Sequence, residues 1–185
     1  MKRNIVVLVA LVILAGCATE APTYRASFDA TNKLKDAGQG KVTLGEFKAG
    51  GTNPEKVNKL TIRGGEFKAP TSGSYVEYLK QALRQQLYDA NRLDANASVE
   101  ITGVLVKNEI DASGLKIGLA DISAQFVVHR SGKKEYDKVT TIHHEWESAF
   151  AAANAVPLAH ANYLKAMQLL LDKLFSDTEF MRAIR

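Results

Sequence analysis

The densest group of potentially reactive side chains in this 185-residue sequence is His143, His144, Glu145 and Trp146. Imidazoles and carboxylates are the donors that hold zinc and let it activate a bound water for hydrolysis. Their spacing limits them. If the stretch is a strand, adjacent side chains point to opposite faces, so only His143 and Glu145 share one. Two ligands fall short of the three protein ligands usual at a catalytic zinc. A metal-dependent envelope hydrolase using His143 and Glu145 is therefore the alternative reading. The leading one is a paired histidine on an open sheet face, with His144 partly buried beside Trp146. His129 and His160 have nothing nearby in sequence to recruit them.

Other short stretches carry no chemistry. Gly64 to Phe67 reads Gly-Gly-Glu-Phe, which resembles the diguanylate cyclase signature, but the second acidic residue is absent and the surrounding domain is too short; the stretch reads as a turn. Gly38 to Gly45 has neither the lysine and glycine spacing nor the following helix of a phosphate loop. No glycine-flanked serine of a nucleophile elbow occurs. Asp111 and Asp121 read as solvated surface, while Tyr75, Tyr78, Phe126, Phe150 and Phe175 fall at positions expected to face the core or its edge. No catalytic residue, cofactor site or metal ligand is assigned, and the chain is read as a non-enzyme.

The one residue with an assigned modification is Cys17, the only cysteine. A basic start (Lys2, Arg3) and an apolar run from Ile5 to Ala15 have the form of a secretory leader, and the run is about half of the roughly 20 residues a spanning helix needs. Leu14-Ala15-Gly16-Cys17 matches the lipobox of bacterial lipoproteins, in which the cysteine sulfur receives diacylglyceryl, the leader is cut before it and the new amino terminus is acylated. A buried free cysteine, the plainer reading, leaves the leader unexplained. One acyl chain anchors only marginally and two signals suffice, so three chains on Cys17 hold the protein to the membrane. Ala18, rather than Asp, implies sorting to the outer membrane, on its periplasmic face.

Removing residues 1–16 takes Lys2 and Arg3 away and lowers the formal charge from +4 to +2. Charges are interspersed without a basic block, so no nucleic-acid footprint is read. With no second cysteine, the fold rests on its apolar core.

The elements that position these residues follow from periodicity. Residues 18–40 lack it and read as a flexible tether spanning roughly 25 to 30 Å. Short strands are expected around Val42–Phe47 and Leu60–Arg63. Tyr75–Asn91 is an amphipathic helix, with Ser74 and Glu77 at capping-box spacing. Alternation over residues 98–106, 119–129 and 134–146, with a short Ser-Gly-Lys link between the last two, makes an antiparallel meander. Pro157 is placed in the first turn of a long helix, and Ser176 and Glu179 are spaced to cap a short terminal one. The expected order is β-β-α-β-β-β-α-α. The expected fold class is α+β: an antiparallel sheet of about five strands, two longer helices on one face and a short C-terminal helix. The domains are 1–16 signal peptide, 17–40 acylated N-terminus and flexible tether, and 41–185 a single α+β periplasmic domain. The other sheet face, with Thr102, Val104, Gln125, Val127, Val139, Thr141 and His143, is mixed and able to face water.

The sequence resembles the small YajG-like lipoproteins of Gram-negative envelopes. The likeness lies in Leu14–Cys17, the helix at 75–87, the stretch from Trp146 to Val156 with Glu147, Ala149, Phe150 and Asn154, and residues 177–184. It implies an outer-membrane lipoprotein with no catalytic residues to carry over. The functional expectation is a lipid-anchored, non-enzymatic module that binds or scaffolds an envelope protein partner. A carrier of lipid or peptidoglycan fragments is a third reading and requires a cavity between helices and sheet.

Overall fold

The computed structural model describes residues 18–70 and 73–185. In chain order the elements are β1 (Thr19–Glu20), α1 (Phe28–Asp36), β2 (Thr43–Ala49), β3 (Leu60–Ile62), β4 (Gly65–Lys68), α2 (Tyr75–Asp89), β5 (Val99–Asp111), β6 (Ile117–Arg130), β7 (Lys133–Glu147), α3 (Ala152–Leu174) and α4 (Thr178–Ala183). A 3-10 turn, Lys56–Asn58, precedes β3.

The fold is α+β, but its strands form two mixed sheets instead of one antiparallel sheet of about five: β1-β4-β3 and β2-β5-β6-β7. β2 and β5 run parallel, because the β3/β4 hairpin and α2 form a crossover that returns the chain to its starting end. The hairpin goes to the smaller sheet, where β1 joins β4 in parallel. Alternation in a sequence identifies a strand without naming its partner or direction. Arg63-Gly64 and Ser131-Gly132 turn the two hairpins, all four residues with positive φ, as a two-residue type I′ turn requires. Of Gly64–Phe67, expected as a turn, only Gly64 belongs to one, and Gly65–Phe67 begin the strand β4 that leaves it.

The expected meander is present in β5, β6 and β7. Ile101, Leu105, Ala120, Ile122, Ala124, Phe126, Val128 and Ile142 are buried on its inner face. A bulge between Leu105 and Lys107 shifts the phase, so Asn108 turns inward. There its amide donates to Val57 O at 2.8 Å and its Oδ1 accepts from Tyr163 Oη at 2.9 Å. α2 and α3 cover this face with Leu79, Leu83, Leu87, Tyr163, Met167 and Leu170.

Local chemistry sets the helix ends. Ser74 Oγ accepts from Glu77 N, as its spacing predicts, and Asn58 Oδ1 accepts from Tyr75 N and Val76 N; together they satisfy amides that have no partner within the helix. α3 begins at Ala152, five residues before Pro157, so the proline lies beyond the first turn. Asp177, not Ser176, caps α4 by accepting from Glu179 N and Phe180 N; Ser176 Oγ instead donates to Asp172 O. Tyr75, Tyr78, Phe126 and Phe175 are buried as expected, but Phe150 is 78 % exposed because it sits on a loop between β7 and α3.

Residues 18–40, expected as a tether, are built into the fold. Gln86 on α2 is fully buried and uses its amide to hold them: Oε1 accepts from Tyr24 Oη and Ser27 N, both at 2.9 Å, and Nε2 donates to Ser27 O and Thr31 Oγ1. Ser27 Oγ caps α1 by accepting from Ala30 N, Tyr78 Oη donates to Pro22 O, and Gln168 Nε2 donates to Arg25 O. Ala30 and Leu34 are fully buried. The sequence does not show this, because the segment's partners lie 55 to 62 residues away on α2 and 143 residues away on α3.

A second clamp follows α2. Asn91, at φ 55°, closes the helix in a Schellman arrangement, with Arg92 N donating to Leu87 O and Asn91 N to Tyr88 O. Arg92 then enters the core, where its guanidinium donates to Gly40 O, to Leu34 O at 2.8 Å and to Ile184 O at 2.6 Å. Replacing Arg92 with Met orphans three carbonyls and removes a buried charge, for an expected net loss of about 2 to 4 kcal/mol. Gln86→Leu is expected to cost about 2 to 3 kcal/mol. Urea midpoints check both, and unchanged midpoints would contradict the clamp.

Candidate functional site

The outer face of the larger sheet is where the sequence-marked polar residues meet. Glu109, Asp121 and His143 stand opposite one another across β5, β6 and β7. Two carboxylates side by side repel, and cations settle between and beside them. Lys107 Nζ lies 2.9 Å from Asp121 Oδ2 and 3.2 Å from Glu109 Oε2. His143 Nδ1 lies 2.6 Å from Asp121 Oδ1, and its Nε2 lies 3.0 Å from Glu145 Oε1. His143 and Glu145 therefore do share a face, as expected. Lys107 and Glu109 were not anticipated, and Asp121 is an ion-pair partner and not merely solvated.

This geometry fixes protonation. The Glu145 and Asp121 hydrogen bonds raise the His143 pKa above its ordinary value. Reciprocally, His143 and then Lys107 hold Asp121 below the usual carboxylate range. In the imidazolium form that these contacts favour, both ring nitrogens donate to carboxylates, and that form has no lone pair for a metal or for general-base work. Among the described residues no group of three His, Cys, Asp or Glu is placed to hold a metal ion.

The rest of the face is tied in the same manner. Ser123 Oγ pairs with Thr141 Oγ1 at 2.9 Å, Gln125 Nε2 donates to Asp137 Oδ1, and Lys134 Nζ donates to Asp137 Oδ2. Val104, Val127 and Val139 stand among these polar groups, and Val139 is exposed. Among the described residues the helices pack on the opposite side.

The other histidines behave structurally. His144 points inward, its Nε2 2.9 Å from Asn162 Oδ1 and its ring 5.8 Å from Trp146. His160 Nε2 lies 3.1 Å from Thr19 Oγ1 and its ring 4.9 Å from Phe67, so it joins α3 to the smaller sheet. Burial lowers its pKa. Asp111 is exposed and accepts from the backbone and hydroxyl of Ser113. Cys17 lies outside the described residues; Thr19, two residues on, is fixed in β1.

The pKa directions give a signed expectation. A raised His143 pKa means that the imidazolium pairing stabilises the fold below the unfolded-state value of about 6.5 and fades as pH rises through the folded value. A histidine titration by NMR should place the His143 midpoint above 6.5, and Asp121→Asn or Glu145→Gln should lower it. A midpoint at or below the ordinary value would contradict the arrangement.

No family model and no curated protein matches the sequence. Solved structures are similar to it. Protein XCC0632 from Xanthomonas campestris, of the DUF330 family, is 10% identical with a TM-score of 0.61, over 90% of this chain and 96% of that one. A minor lipoprotein from Acinetobacter baumannii is 13% identical with a TM-score of 0.44, over 78% of this chain and 94% of that one. Rare lipoprotein B from Shewanella oneidensis is 13% identical with a TM-score of 0.41, over 74% and 94%. The first comparison establishes that this chain has the fold of the Xanthomonas DUF330 protein.

Proposed function

We propose that this chain is a lipid-anchored, non-enzymatic envelope protein that stands on the periplasmic face of the outer membrane and binds a protein partner on the outer face of its larger sheet. The anchor reading is supported by the leader and by Leu14–Cys17. The observation that carries the binding reading is the outer face itself: strands of 13, 14 and 15 residues with, among the described residues, helices on one side only. Many of its polar groups are already paired, and at its centre Val104 and Val139 flank Gln125, with Val127 diagonal to both. A partner laid over these valines buries apolar area without stripping unpaired charges of water.

The geometry disfavours the two rival readings. A hydrolase built on His143 and Glu145 needs a free imidazole nitrogen, and the ion pairs occupy both. A carrier needs space between helices and sheet, and that layer is filled by Leu79, Leu83, Phe126, Tyr163 and Met167.

Two experiments test the reading. Labelled palmitate should enter the protein in its native envelope, and Cys17→Ala should abolish labelling and leave the leader uncut. A photo-crosslinking residue at position 139 should give a discrete stoichiometric adduct in intact cells, lost on Val127→Lys. Crosslinking that is diffuse, or undiminished by Val127→Lys, would contradict the face.

A further inference from the structure

The residues nearest the anchor share one end of the fold with three of the most exposed apolar side chains. Thr19 lines an open groove with Ile62, Arg63, Ala152, Val156 and Pro157. Arg63, at φ 52° in its turn, carries this groove into two neighbouring loops: its Nη2 donates to Gly114 O at 3.2 Å and to Ala149 O at 2.8 Å. Ser148 N donates to Lys116 O at 2.7 Å and closes the same cluster. From these loops and the start of β6 project Leu115, Ile117 and Phe150, which are 61, 53 and 78 % exposed. Cys17 is two peptide units before Thr19, hence within about 7 Å of it along the chain.

We propose that this end, formed by the Ala112–Lys116 loop with the start of β6, the Ser148–Ala151 loop and the first turn of α3, is a face that lies against the phospholipid bilayer. The inference rests on acylation of Cys17, as proposed above, and adds the orientation of the body. Chain from residue 19 onward is clamped, so an anchor two residues upstream has no tether with which to hold this end away from the lipid. Leu115, Ile117 and Phe150, costly to leave in water as a cluster, reach the headgroup and acyl boundary as interfacial apolar side chains do. β6 and β7 then rise from the membrane to the Ser131–Gly132 turn about 45 Å away, and the outer face of the larger sheet stands upright, open to a partner from the side.

Acylation consumes the only native thiol, so an introduced cysteine can be labelled alone. The mature acylated protein, carrying an environment-sensitive fluorophore at Phe150→Cys or at Val139→Cys, is bound to phosphatidylethanolamine and phosphatidylglycerol vesicles containing brominated lipid. The label at 150 is expected to be quenched at least about twofold, with a blue shift, and the label at 139 to remain water-like. Leu115→Asp in the Phe150→Cys protein should reduce the quenching while the protein still floats with the vesicles; circular dichroism confirms that each variant is folded. Protein that floats with equal, weak quenching at both positions, or quenching indifferent to Leu115→Asp, overturns the face alone. Protein that does not float overturns the anchor, and the face with it.

Discussion

Everything about how this body is held depends on the Arg92 guanidinium. It is almost completely buried and meets three backbone carbonyls, from Leu34 in the last turn of α1, from Gly40, and from Ile184 at the end of α4. Two helix C-termini thereby direct their partial negative charge at one cation. Among the described residues Arg92 has no side-chain ion pair, and a buried cation is tolerable in a core only with such compensation. Gly40 belongs to the same arrangement: a Cβ there would lie 2.5 Å from the carbonyl carbon of Arg185. With Gln86 holding residues 24–31, Arg92 makes the N-terminal segment part of the body. On the proposed reading, the acyl anchor at Cys17 is then a short mount and not a long leash.

That mount separates two kinds of surface. The outer face of the larger sheet is polar and internally paired, its imidazolium and lysine set between carboxylates, so it stays hydrated while unoccupied. The end around Arg63 is the opposite, with apolar side chains standing free beside the point where the chain enters β1. On the proposed reading the first surface meets a protein and the second meets lipid, and each suits its solvent.

How much of this was legible varied with the range of the interactions. The meander, α2 with its Ser74 cap and the short terminal helix were readable, because alternation, helical spacing and local capping are written in neighbouring residues. Sheet partition, the parallel pairing of β2 with β5 and the ordering of residues 18–40 were not, since Gln86 and Arg92 bond segments more than 50 residues away. At the site, the shared face of His143 and Glu145 followed from strand geometry alone. Their union with Asp121 depends on a bulge between Val128 and His129; without it, counting back from the turn would set Asp121 opposite Ile142. Matching the apolar phases of β6 and β7 could have exposed that bulge. Phe150 misled because an aromatic beside a strand end reads as core whether or not the chain turns outward there.

The most direct test of the central claim is amide hydrogen exchange over residues 19–37 in the mature, acylated protein. The clamp predicts protection of Thr31 and Leu34 comparable with that of Leu83 and Leu87 in α2. Exchange at the unprotected rate throughout 19–37, with α2 still protected, would return the segment to a loose tether and contradict the account.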